Sequence, residues 1–484
     1  MTHQPMTRRA FVRTCAAGVS AFASISVAAK DNPAVQRKQP NIILIVTDDH
    51  GRGDLGCYGH PVIKTPNLDK LAGEGVRFTN AFCTTASCSA SRSVILSGLY
   101  NHCNGQYGHQ HDYHHFASFD TVKSLPVLLS QGGYRTARIG KYHVAPDHVY
   151  RFDTVLRGND RNAVQMADGC REYLAAEDSR PFFLYFCTSD PHRGGGRAAD
   201  RPHQPDRFGN RDQGYPGVTE VKYDPKEVIV PDFLPDSPEC RAELAQYCQA
   251  VSRIDQGIGR LVEHLKTAGK YDNTIVIYIS DNGIAFPGAK TTVYEPGLNL
   301  PCIVRTPWQE NGGIACDAMI NWADLTPTIL DLAGATPRDY EFHGRSFKPV
   351  LDRERVEGWD TVFASHTFHE ITMYYPMRVV RERRFKLIWN IAHGLDYPFA
   401  SDLWESPTWQ ATIRSDAKYY GKRTVDTYLH RPKFELYNLE NDPHEVRNLA
   451  DDPQHRDTLE RMKAKLKAFQ KQTKDPWILK WEHE

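Results

Sequence analysis

Residues 41–50 read NIILIVTDDH and indicate the fold class most directly. Its run of five apolar residues, most of them β-branched, is typical of a strand buried on both faces. The run leads to two acidic residues, Asp48 and Asp49. Residues 181–186 and 274–279 repeat this design, and polar side chains follow each of them. Three such strands predict a mostly parallel α/β sheet with a functional site at the carboxyl edge of its strands.

The pattern of the sequence changes along the chain. Apolar residues at spacings of three and four between 244 and 265 predict a long amphipathic helix that ends near Gly269. Later in the chain, short strand-like runs appear at 377–380 and 385–389, followed by a charged helix near 455–472. The later pattern is typical of a smaller α+β domain.

We therefore expect two folded domains. A large central, mostly parallel sheet flanked by helices would form the catalytic domain over residues 38–355. A smaller α+β domain with an antiparallel sheet would follow over residues 356–484 and complete the substrate pocket. An average domain size would divide the 484 residues into about three domains, but α/β enzymes often combine one large and one small domain.

The composition excludes several classes of partner. Lys and Arg together number 59, as do Asp and Glu, so the formal net charge is zero. The chain as a whole therefore has no excess positive charge to attract nucleic acid or an acidic membrane surface. An anionic substrate must therefore be bound by a local pocket. The apolar content of 40% excludes a disordered chain. The 11 cysteines show no zinc-type spacing, and their pairing in disulfides cannot be deduced from the sequence.

The N-terminal segment, residues 1–29, is predicted to be an export signal. It contains Arg8, Arg9 and Arg13 and no acidic residue, and its apolar stretch from 16 to 29 is too short to span a bilayer. The paired arginines fit the twin-arginine type of signal peptide. We expect a periplasmic or secreted protein.

Two motifs carry the chemistry. The first, CSASR at residues 88–92, precedes an apolar helical stretch, which places Cys88 near a helix N-terminus that favours anions. The second, GYRTARIGKYH at residues 133–143, puts Lys141 and His143 at the end of a short strand with their side chains on the same side. Together the two motifs resemble the signatures of the type I sulfatases of the alkaline phosphatase superfamily.

This resemblance extends from Pro40 to the C-terminal helix and implies an alkaline phosphatase-like fold. It implies that a formylglycine-generating maturase oxidises Cys88 to formylglycine before the chain folds. One hydroxyl of the hydrated aldehyde would attack sulfur, and the other would later expel sulfate as the aldehyde reforms. The protein is thus expected to be a sulfuric ester or sulfamate hydrolase.

A bound metal ion is expected because attack on a sulfate group requires that its negative charge be masked. Asp48, Asp49, Asp281 and Asn282 follow two predicted strands, where the sulfatase family has its metal ligands. Hard oxygen donors suit Ca²⁺, with Mg²⁺ as the alternative, and do not suit zinc. His50 is either a group that supports these ligands or a satisfied core histidine.

The remaining catalytic roles also come from the resemblance. Arg92, Lys141 and Lys290 would hold the nucleophile and the sulfate group. His143 would take the proton from the second hydroxyl of the hydrated aldehyde. His192, together with Lys290, would protonate or stabilise the leaving group.

Several stretches resemble one branch of the family, the heparan N-sulfatases, which are N-sulfoglucosamine sulfohydrolases. These stretches are residues 114–120, 190–194, 280–287 and 369–378. That branch has arginine where this chain has Lys290, so at this position the chain follows the wider family. The departure leaves room for a different substrate.

If the resemblance extends to the substrate, the enzyme hydrolyses the N-sulfate (sulfamate) of non-reducing-end glucosamine in heparin or heparan sulfate fragments. His369 and Glu370 would then accept sugar hydroxyls, and Arg378 would meet a carboxylate or the ring oxygen. The alternative for all three is an ordinary role as polar residues of strands and loops. A homodimer is compatible with this branch, although the sequence shows no interface.

The same residues are compatible with three other functions. A glycan O-sulfatase, such as one acting on 6-O-sulfo-glucosamine, would share the sulfate-binding half of the site. A phosphonate or phosphodiester hydrolase is a more distant alternative on the same scaffold. An inactive fold that only binds sulfated glycans is the third alternative. The intact Cys88, Arg92, Lys141 and His143 argue against it, because a binding protein has no need of a nucleophile.

Overall fold

The strand predicted at the start of the chain is β1, Asn41–Thr47, and every residue of it is buried. It belongs to an eight-stranded sheet. The other strands of this sheet are β2 Val76–Phe82, β3 Arg135–Gly140, β4 Thr154–Val155, β5 Phe182–Cys187, β6 Thr274–Ser280, β7 Cys302–Arg305 and β8 Ile314–Asn321. This computed structural model describes residues 38–194 and 204–483, so the predicted signal peptide of residues 1–29 lies outside the described residues.

The strand order in the large sheet is β4-β3-β5-β1-β6-β7-β2-β8. Strand β1 pairs in parallel with β5 and β6, and β3 pairs in parallel with β4 and β5. Strand β2 pairs in parallel with β8, whereas β7 runs antiparallel to both of its neighbours. The prediction of a mostly parallel sheet is confirmed.

Helices flank this sheet. They are α1 Pro66–Gly73, α2 Cys88–Ser97, α3 Asn101–Asn104, α4 Leu125–Gln131, α5 Ala163–Ala175, α6 Pro238–Thr267, α7 Glu295–Leu298 and α8 Leu325–Ala333. The predicted long helix is α6. It begins earlier than its apolar spacing indicates, because the Ser237 side chain accepts a hydrogen bond from the backbone N–H of Cys240 and Pro238 suits the first turn.

The C-terminal part contains the predicted antiparallel sheet. Its strands are β9 Thr361–His366, β10 Met377–Glu382, β11 Phe385–Asn390 and, after the hairpin of β12 Tyr419–Tyr420 and β13 Arg423–Thr424, β14 Phe434–Asn438. Their order is β14-β11-β10-β9. The helices are α9 Ser401–Trp404, α10 Pro407–Arg414, α11 Val425–Leu429 and α12 Arg456–Gln472. The charged helix predicted near 455–472 is α12.

The antiparallel sheet packs on two sides. Helix α12 covers one face, where Leu459 and Met462 join a cluster with Val380 of β10. Val379 of β10 and Ile388 of β11 belong instead to the apolar core that includes the large sheet. Residues Gln39–Glu484 accordingly form one compact unit. The boundary between residues 355 and 356 stays a prediction.

Two negative findings concern the described part of the chain. No helix there is long and apolar enough to cross a membrane. The ten cysteines in residues 38–194 and 204–483 are all free thiols.

The register of the sheet determines where the site forms. Thr47 of β1 is opposite Ser280 of β6, so the residues that follow these two strands lie side by side. Gly140 of β3 is likewise opposite Cys187 of β5. Because these four strands are neighbours and parallel, the loops after them meet at one edge of the sheet.

Candidate active site

The four predicted metal ligands lie together at the carboxyl edge of β1 and β6. The side chains of Asp48, Asp49, Asp281 and Asn282 are all completely buried. The backbone N–H of Asp49 donates to Oδ1 of Asp281 at 3.1 Å. The side-chain amide of Asn282 donates to Oδ1 of Asp49 at 2.6 Å. The structure therefore brings the four predicted ligands into one cluster.

This cluster fits a hard divalent cation. Oδ1 of Asp48 and Oδ1 of Asn282 are buried and accept no hydrogen bond from the described residues. Burial, together with the charge of Asp48, raises the pKa of Asp281 well above its ordinary value, because carboxyl groups share a site that excludes water. A cation held by these oxygens would satisfy the unpaired atoms and stabilise the ionised carboxylates.

Cys88 is the first residue of α2, directly after the N-cap residue Ser87. The side chain is completely buried, and its Sγ lies 3.8 Å from Oδ1 of Asp49. Burial raises the pKa of the Cys88 thiol well above its ordinary value, although the Lys290 cation opposes the shift. An unmodified Cys88 would stay a neutral thiol, which is a weak nucleophile.

The other polar residues of the CSASR motif fasten α2 to the site. Nε of Arg92 donates to Oδ2 of Asp281 at 2.9 Å. The Ser91 hydroxyl donates to the backbone carbonyl of Asp281 at 2.6 Å, and the Ser89 hydroxyl donates to that of His143 at 2.8 Å. Helix α2 is therefore held to the loops after β6 and β3, and Cys88 lies between them.

Two lysines bring positive charge to the carboxylates. Nζ of Lys141 donates to Oδ2 of Asp48. Nζ of Lys290 donates to Oδ2 of Asp49 at 3.1 Å and to Oδ2 of Asp402 at 2.8 Å. Although burial disfavours its charge, Asp402 and Asp49 raise the pKa of Lys290 well above its ordinary value. Lys290 is therefore a cation at neutral pH.

His192 lies beside Lys290. Nε2 of His192 is 3.0 Å from Nζ of Lys290, and Nδ1 is 2.7 Å from the backbone carbonyl of Arg193. Burial, with the Lys290 charge, lowers the pKa of His192. Because a carbonyl can only accept, Nδ1 carries the proton, and the lone pair of Nε2 accepts from Lys290.

His143 follows β3 and is buried, with 8% of its surface exposed. Neither of its ring nitrogens has a hydrogen-bond partner among the described residues. Burial, followed by the charge of Lys141, lowers the pKa of His143 well below its ordinary value. The imidazole is therefore neutral at pH 7 and has a lone pair that can accept a proton.

These groups open into a cavity of about 560 Å³. The residues that line it are His109, Gln110, His111, Asp112, Tyr113, His114, Lys141, His143, Asp160, Ser189, His192, Lys290, His369, Glu370, Ser401 and Asp402. The cavity joins the predicted catalytic histidines and lysines to polar side chains of the size and kind that bind carbohydrate hydroxyls.

Two of the predicted sugar ligands line this cavity. His369 contacts the Ser87 hydroxyl through Nδ1 at 2.9 Å and Nε2 of His109 through its own Nε2 at 3.0 Å. Oε1 of Glu370 accepts hydrogen bonds from the backbone N–H and the hydroxyl of Ser401, at 2.8 and 2.7 Å. Both side chains are held in place by these contacts.

The third predicted sugar ligand, Arg378, does not line the cavity, so the prediction for it is wrong. Its Nε donates to Oδ2 of Asp475 at 2.6 Å and its Nη2 donates to Oδ1 at 3.0 Å. Only 1% of Arg378 is exposed. Side chains alternate along a strand, so Arg378 shares the face of β10 with Val380, and α12 covers that face. Arg378 therefore binds the C-terminal segment and does not line the cavity.

Of the two roles predicted for His50, the structure favours the second, a core histidine whose polar atoms are hydrogen-bonded. Its Nδ1 is 2.6 Å from the Tyr278 hydroxyl, and its backbone N–H donates to the Ser280 hydroxyl at 2.8 Å. The side chain is completely buried. His50 thus stabilises the packing of β1 against β6.

Sequence reasoning missed several residues of the cavity. Asp402, which binds Lys290, lies at the start of α9 in a stretch with no recognisable motif. His109 and His111 were detectable, because residues 109–115 contain four histidines within seven positions. Such a density of imidazoles is itself a signal of a polar or metal-binding site.

Comparison with known proteins agrees with this architecture. Residues 40–335 match the sulfatase family, and residues 288–423 match the family described as "N-sulphoglucosamine sulphohydrolase, C-terminal". The chain therefore belongs to the sulfatase family and is a hydrolase. It is 40% identical to human N-sulphoglucosamine sulphohydrolase over 466 residues, which cover 91% of this chain and 92% of the human protein.

More distant relatives act on other sulfated glycans, according to their names. The chain is 29% identical to an ulvan-active sulfatase of Formosa agariphila, over 88% of this chain and 78% of that one. It is 26% identical to an N-acetylglucosamine-6-O-sulfatase of Bacteroides thetaiotaomicron, over 94% and 90%. A solved structure of a protein in complex with its substrate D-glucosamine-2-N,6-O-disulfate superposes with a TM-score of 0.65 at 23% identity, over 91% of this chain and 99% of that one, and this likeness shows the fold alone.

Proposed function

We propose that this protein hydrolyses the N-sulfate of glucosamine at the non-reducing end of heparin or heparan sulfate fragments and releases sulfate. The observation that carries the proposal is the 40% identity to human N-sulphoglucosamine sulphohydrolase over almost the full length of both chains. The match of residues 288–423 to the C-terminal family of such enzymes supports it, because this segment contributes His369, Glu370 and Asp402 to the cavity.

The nucleophile in this proposal is Cys88 after oxidation to formylglycine by a dedicated maturase. The hydrated aldehyde supplies one hydroxyl that attacks sulfur and a second that expels sulfate. Two features of the site support the modification. Cys88 is at the N-terminus of α2 beside Asp49, and its raised pKa leaves the unmodified thiol neutral.

The metal in this proposal is Ca²⁺, with Mg²⁺ as the alternative. Asp48, Asp49, Asp281 and Asn282 would hold it, since all four are buried and two of their oxygens have no hydrogen bond. When bound, the ion would mask the negative charge of the sulfate group. Lys141 supplies a further positive charge from the neighbouring strand end.

Breaking the N–S bond requires that the leaving nitrogen take up a proton. Lys290 and His192 are arranged for this step, because Nζ of Lys290 donates to Nε2 of His192 at 3.0 Å and Asp402 keeps Lys290 charged. Lys290 can therefore deliver a proton to the departing amine directly or through His192.

Release of sulfate requires the opposite transfer. The second hydroxyl of the hydrated aldehyde must lose a proton as the carbonyl reforms. His143 is the acceptor in this proposal, because it is neutral, buried and without a hydrogen-bond partner among the described residues.

A glycan O-sulfatase is the second candidate function. The observation that favours it is the 26% identity to an N-acetylglucosamine-6-O-sulfatase over 94% of this chain. Lys290 belongs to the wider sulfatase pattern and not to that of the N-sulfatases, which is compatible with either substrate.

The proposal is tested by sulfate release from N-sulfoglucosamine and from 6-O-sulfo-N-acetylglucosamine. The enzyme is produced with a maturase, and mass spectrometry of the Cys88 peptide confirms formylglycine. The Cys88→Ala variant is the control for contaminating sulfatases. Release from N-sulfoglucosamine alone supports the proposal, whereas release from the 6-O-sulfated sugar alone replaces it with the O-sulfatase function.

We also propose that residues 1–29 direct export through the twin-arginine route to the periplasm or the medium. The arginine pair Arg8 and Arg9 supports this proposal. Replacing both by lysine should retain the protein in the cytoplasm, as measured by cell fractionation. Unchanged export of that variant would contradict the proposed route.

A further inference from the structure

A second group of potential metal ligands lies in the wall of the same cavity. His109, His111 and His143 each offer one ring nitrogen, and these three atoms lie within 4.8 Å of one another. Their ring centroids are 4.7, 4.8 and 5.0 Å apart. We propose that this histidine cluster is a binding site for a first-row transition metal ion such as Zn²⁺, separate from the predicted calcium site.

The hydrogen bonds of His111 leave it a free ligand atom. Its Nδ1 lies 2.7 Å from Oδ2 of Asp112. A carboxylate can only accept, so Nδ1 carries the proton and Nε2 presents its lone pair. Carboxylates commonly orient a histidine in this way at metal sites and increase the basicity of the ligating nitrogen.

His109 has a free nitrogen as well. Its Nε2 contacts Nε2 of His369 at 3.0 Å, and Nδ1 of His369 contacts the Ser87 hydroxyl at 2.9 Å. When His109 donates to His369 and His369 donates to Ser87, Nδ1 of His109 is left with a lone pair. That atom is buried and has no hydrogen-bond partner among the described residues. A bound cation would select this arrangement of protons.

His143 is the third ligand. The residue is more than nine-tenths buried, and neither Nδ1 nor Nε2 has a hydrogen-bond partner in the described structure. Its ring is stacked against the rings of both other histidines, with interplanar angles of 25° to His109 and 23° to His111. A buried, unpaired imidazole of this kind is costly unless something binds it.

The donor set determines the class of metal. Neutral imidazoles suit zinc, copper and nickel, whereas the carboxylate and amide oxygens beside Cys88 suit Ca²⁺ or Mg²⁺. With Zn–N bonds of about 2.0–2.1 Å, tetrahedral zinc needs its nitrogen ligands about 3.3 Å apart. The cluster must therefore contract, and its stacked rings must turn so that their in-plane lone pairs converge on the ion. His111 can move in this way because 42% of its side chain is exposed.

The surrounding charges permit a cation. Lys141, Lys290 and Arg92 are cations close enough to act on the cluster, but Lys141 is paired with Asp48, Lys290 with Asp49 and Asp402, and Arg92 with Asp281. The carboxylate of Asp112 adjoins His111. Water or a substrate group in the cavity would complete the coordination of the ion.

Occupancy of the histidine cluster would regulate the enzyme, a consequence that rests on the proposed function. An ion bound by His143 would occupy the lone pair that this residue needs to accept a proton. It would also block the cavity in which the sugar binds. Zn²⁺ should therefore inhibit sulfate release reversibly.

Calorimetric titration of the mature enzyme with Zn²⁺ tests the site directly. Saturating Ca²⁺ is present throughout, so that the oxygen ligands are occupied. We expect the wild type to bind one Zn²⁺. The affinity of His111→Ala for Zn²⁺ should be lower than that of the wild type by a factor of about ten or more. His115→Asn is the matched control, because His115 is exposed on the same loop with a φ of 52°, which asparagine tolerates. It should bind Zn²⁺ like the wild type.

Titration with Co²⁺ identifies the ligands. Nitrogen coordination gives d–d absorption without a sulfur-to-metal charge-transfer band, and this spectrum should weaken in His111→Ala. A charge-transfer band would place the ion at a cysteine, and unchanged binding by His111→Ala would place it elsewhere. Either result, or a lack of Zn²⁺ binding, would overturn the proposal.

Inhibition is measured separately. Zn²⁺ should inhibit sulfate release by the wild type and by His115→Asn at similar concentrations. Inhibition of any residual activity of His111→Ala should require at least tenfold more Zn²⁺. An enzyme that binds Zn²⁺ but hydrolyses neither test sugar would refute the proposed function and leave the metal site standing. Inhibition that is the same in all three proteins would refute the regulatory role.

Discussion

Asp402 determines the electrostatics of the leaving-group side of the site. Its carboxylate lies 2.8 Å from Nζ of Lys290, which in turn donates to His192 and Asp49. The carboxylate holds Lys290 in its charged form and in position. A residue outside every recognisable motif therefore sets the protonation of the proposed acid.

Asp402→Asn tests this role. The substitution keeps the size of the side chain but removes the charge that raises the pKa of Lys290, so that pKa should fall. Because the acid must be protonated to act, the alkaline limb of the pH profile of kcat should move to lower pH. Because Lys290 itself remains, we expect kcat at pH 7 to fall by no more than about 100-fold, the lower end of the contribution of a general acid. The exposed residue Asp339 provides the control Asp339→Asn, which should leave the profile unchanged, and an unmoved profile in Asp402→Asn would contradict the assignment.

Cys88→Ser tests the need for two hydroxyl groups on one carbon. A serine hydroxyl in this position can attack sulfur, but it has no second hydroxyl with which to expel sulfate. We expect no turnover of N-sulfoglucosamine and a stable sulfo group on the peptide that contains residue 88, detected by mass spectrometry. Continued turnover by Cys88→Ser would rule out the formylglycine mechanism.

Among the elements, β10 is held to the C-terminal segment by one buried ion pair. Arg378 on β10 makes two hydrogen bonds with Asp475, which follows α12. Burial is the largest single influence on the pKa of Asp475 and would raise it, but the charge and hydrogen bonds of Arg378, with smaller contributions from His102 and Gln470, together lower it to about 2. A carboxyl group whose pKa is lowered by folding stabilises the fold at pH values above its ordinary pKa. For Asp475 this stabilisation is lost as the pH falls through about 2.

Asp475→Asn tests the contribution of this pair. Removing one partner of a buried ion pair leaves the other charge uncompensated and costs about 3–5 kcal/mol. The Tm should therefore fall clearly at pH 7, and the difference from the wild type should shrink as the pH falls from about 4 towards 2. The exposed residue Asp451 gives the control Asp451→Asn. A difference in Tm that does not depend on pH would contradict the electrostatic explanation.

The elements that could be predicted are those whose signal is local. The apolar run of β1 and the three-and-four spacing of α6 depend only on neighbours along the chain. Strand β1 forms where it was predicted, and α6 includes its predicted span but begins earlier. The position of Arg378 depends instead on which face of β10 is covered by α12. The sequence of β10 alone does not contain that information, which is why Arg378 was assigned to the sugar pocket.

On the scale of the whole molecule, the site is formed by segments far apart in the sequence. The loops after β1, β3, β5 and β6 could be predicted to meet, because parallel strands end at the same edge. The C-terminal contributions to the cavity were only partly predicted. His369 and Glu370 came from the resemblance to known enzymes, whereas Asp402 reaches Lys290 through tertiary packing that no local pattern encodes.

Removal of the metal should affect the whole fold. Asp48, Asp49 and Asp281 are buried together, so withdrawing a bound cation leaves only Arg92, Lys141 and Lys290 to offset their mutual repulsion. Treatment with a calcium chelator should lower both the Tm and the rate of sulfate release, and added Ca²⁺ should restore both. An unchanged Tm after verified metal loss would show that the ion does not stabilise this edge of the sheet.

The proposed reaction is cleavage of the N–S bond of glucosamine N-sulfate. Incubation with D-glucosamine-2-N,6-O-disulfate offers both kinds of sulfate in one molecule, and labelling with an amine-specific reagent shows which is lost. We expect a product with a free amine that retains its 6-O-sulfate. A product that lacks the 6-O-sulfate but does not react with the amine reagent would contradict the proposed reaction.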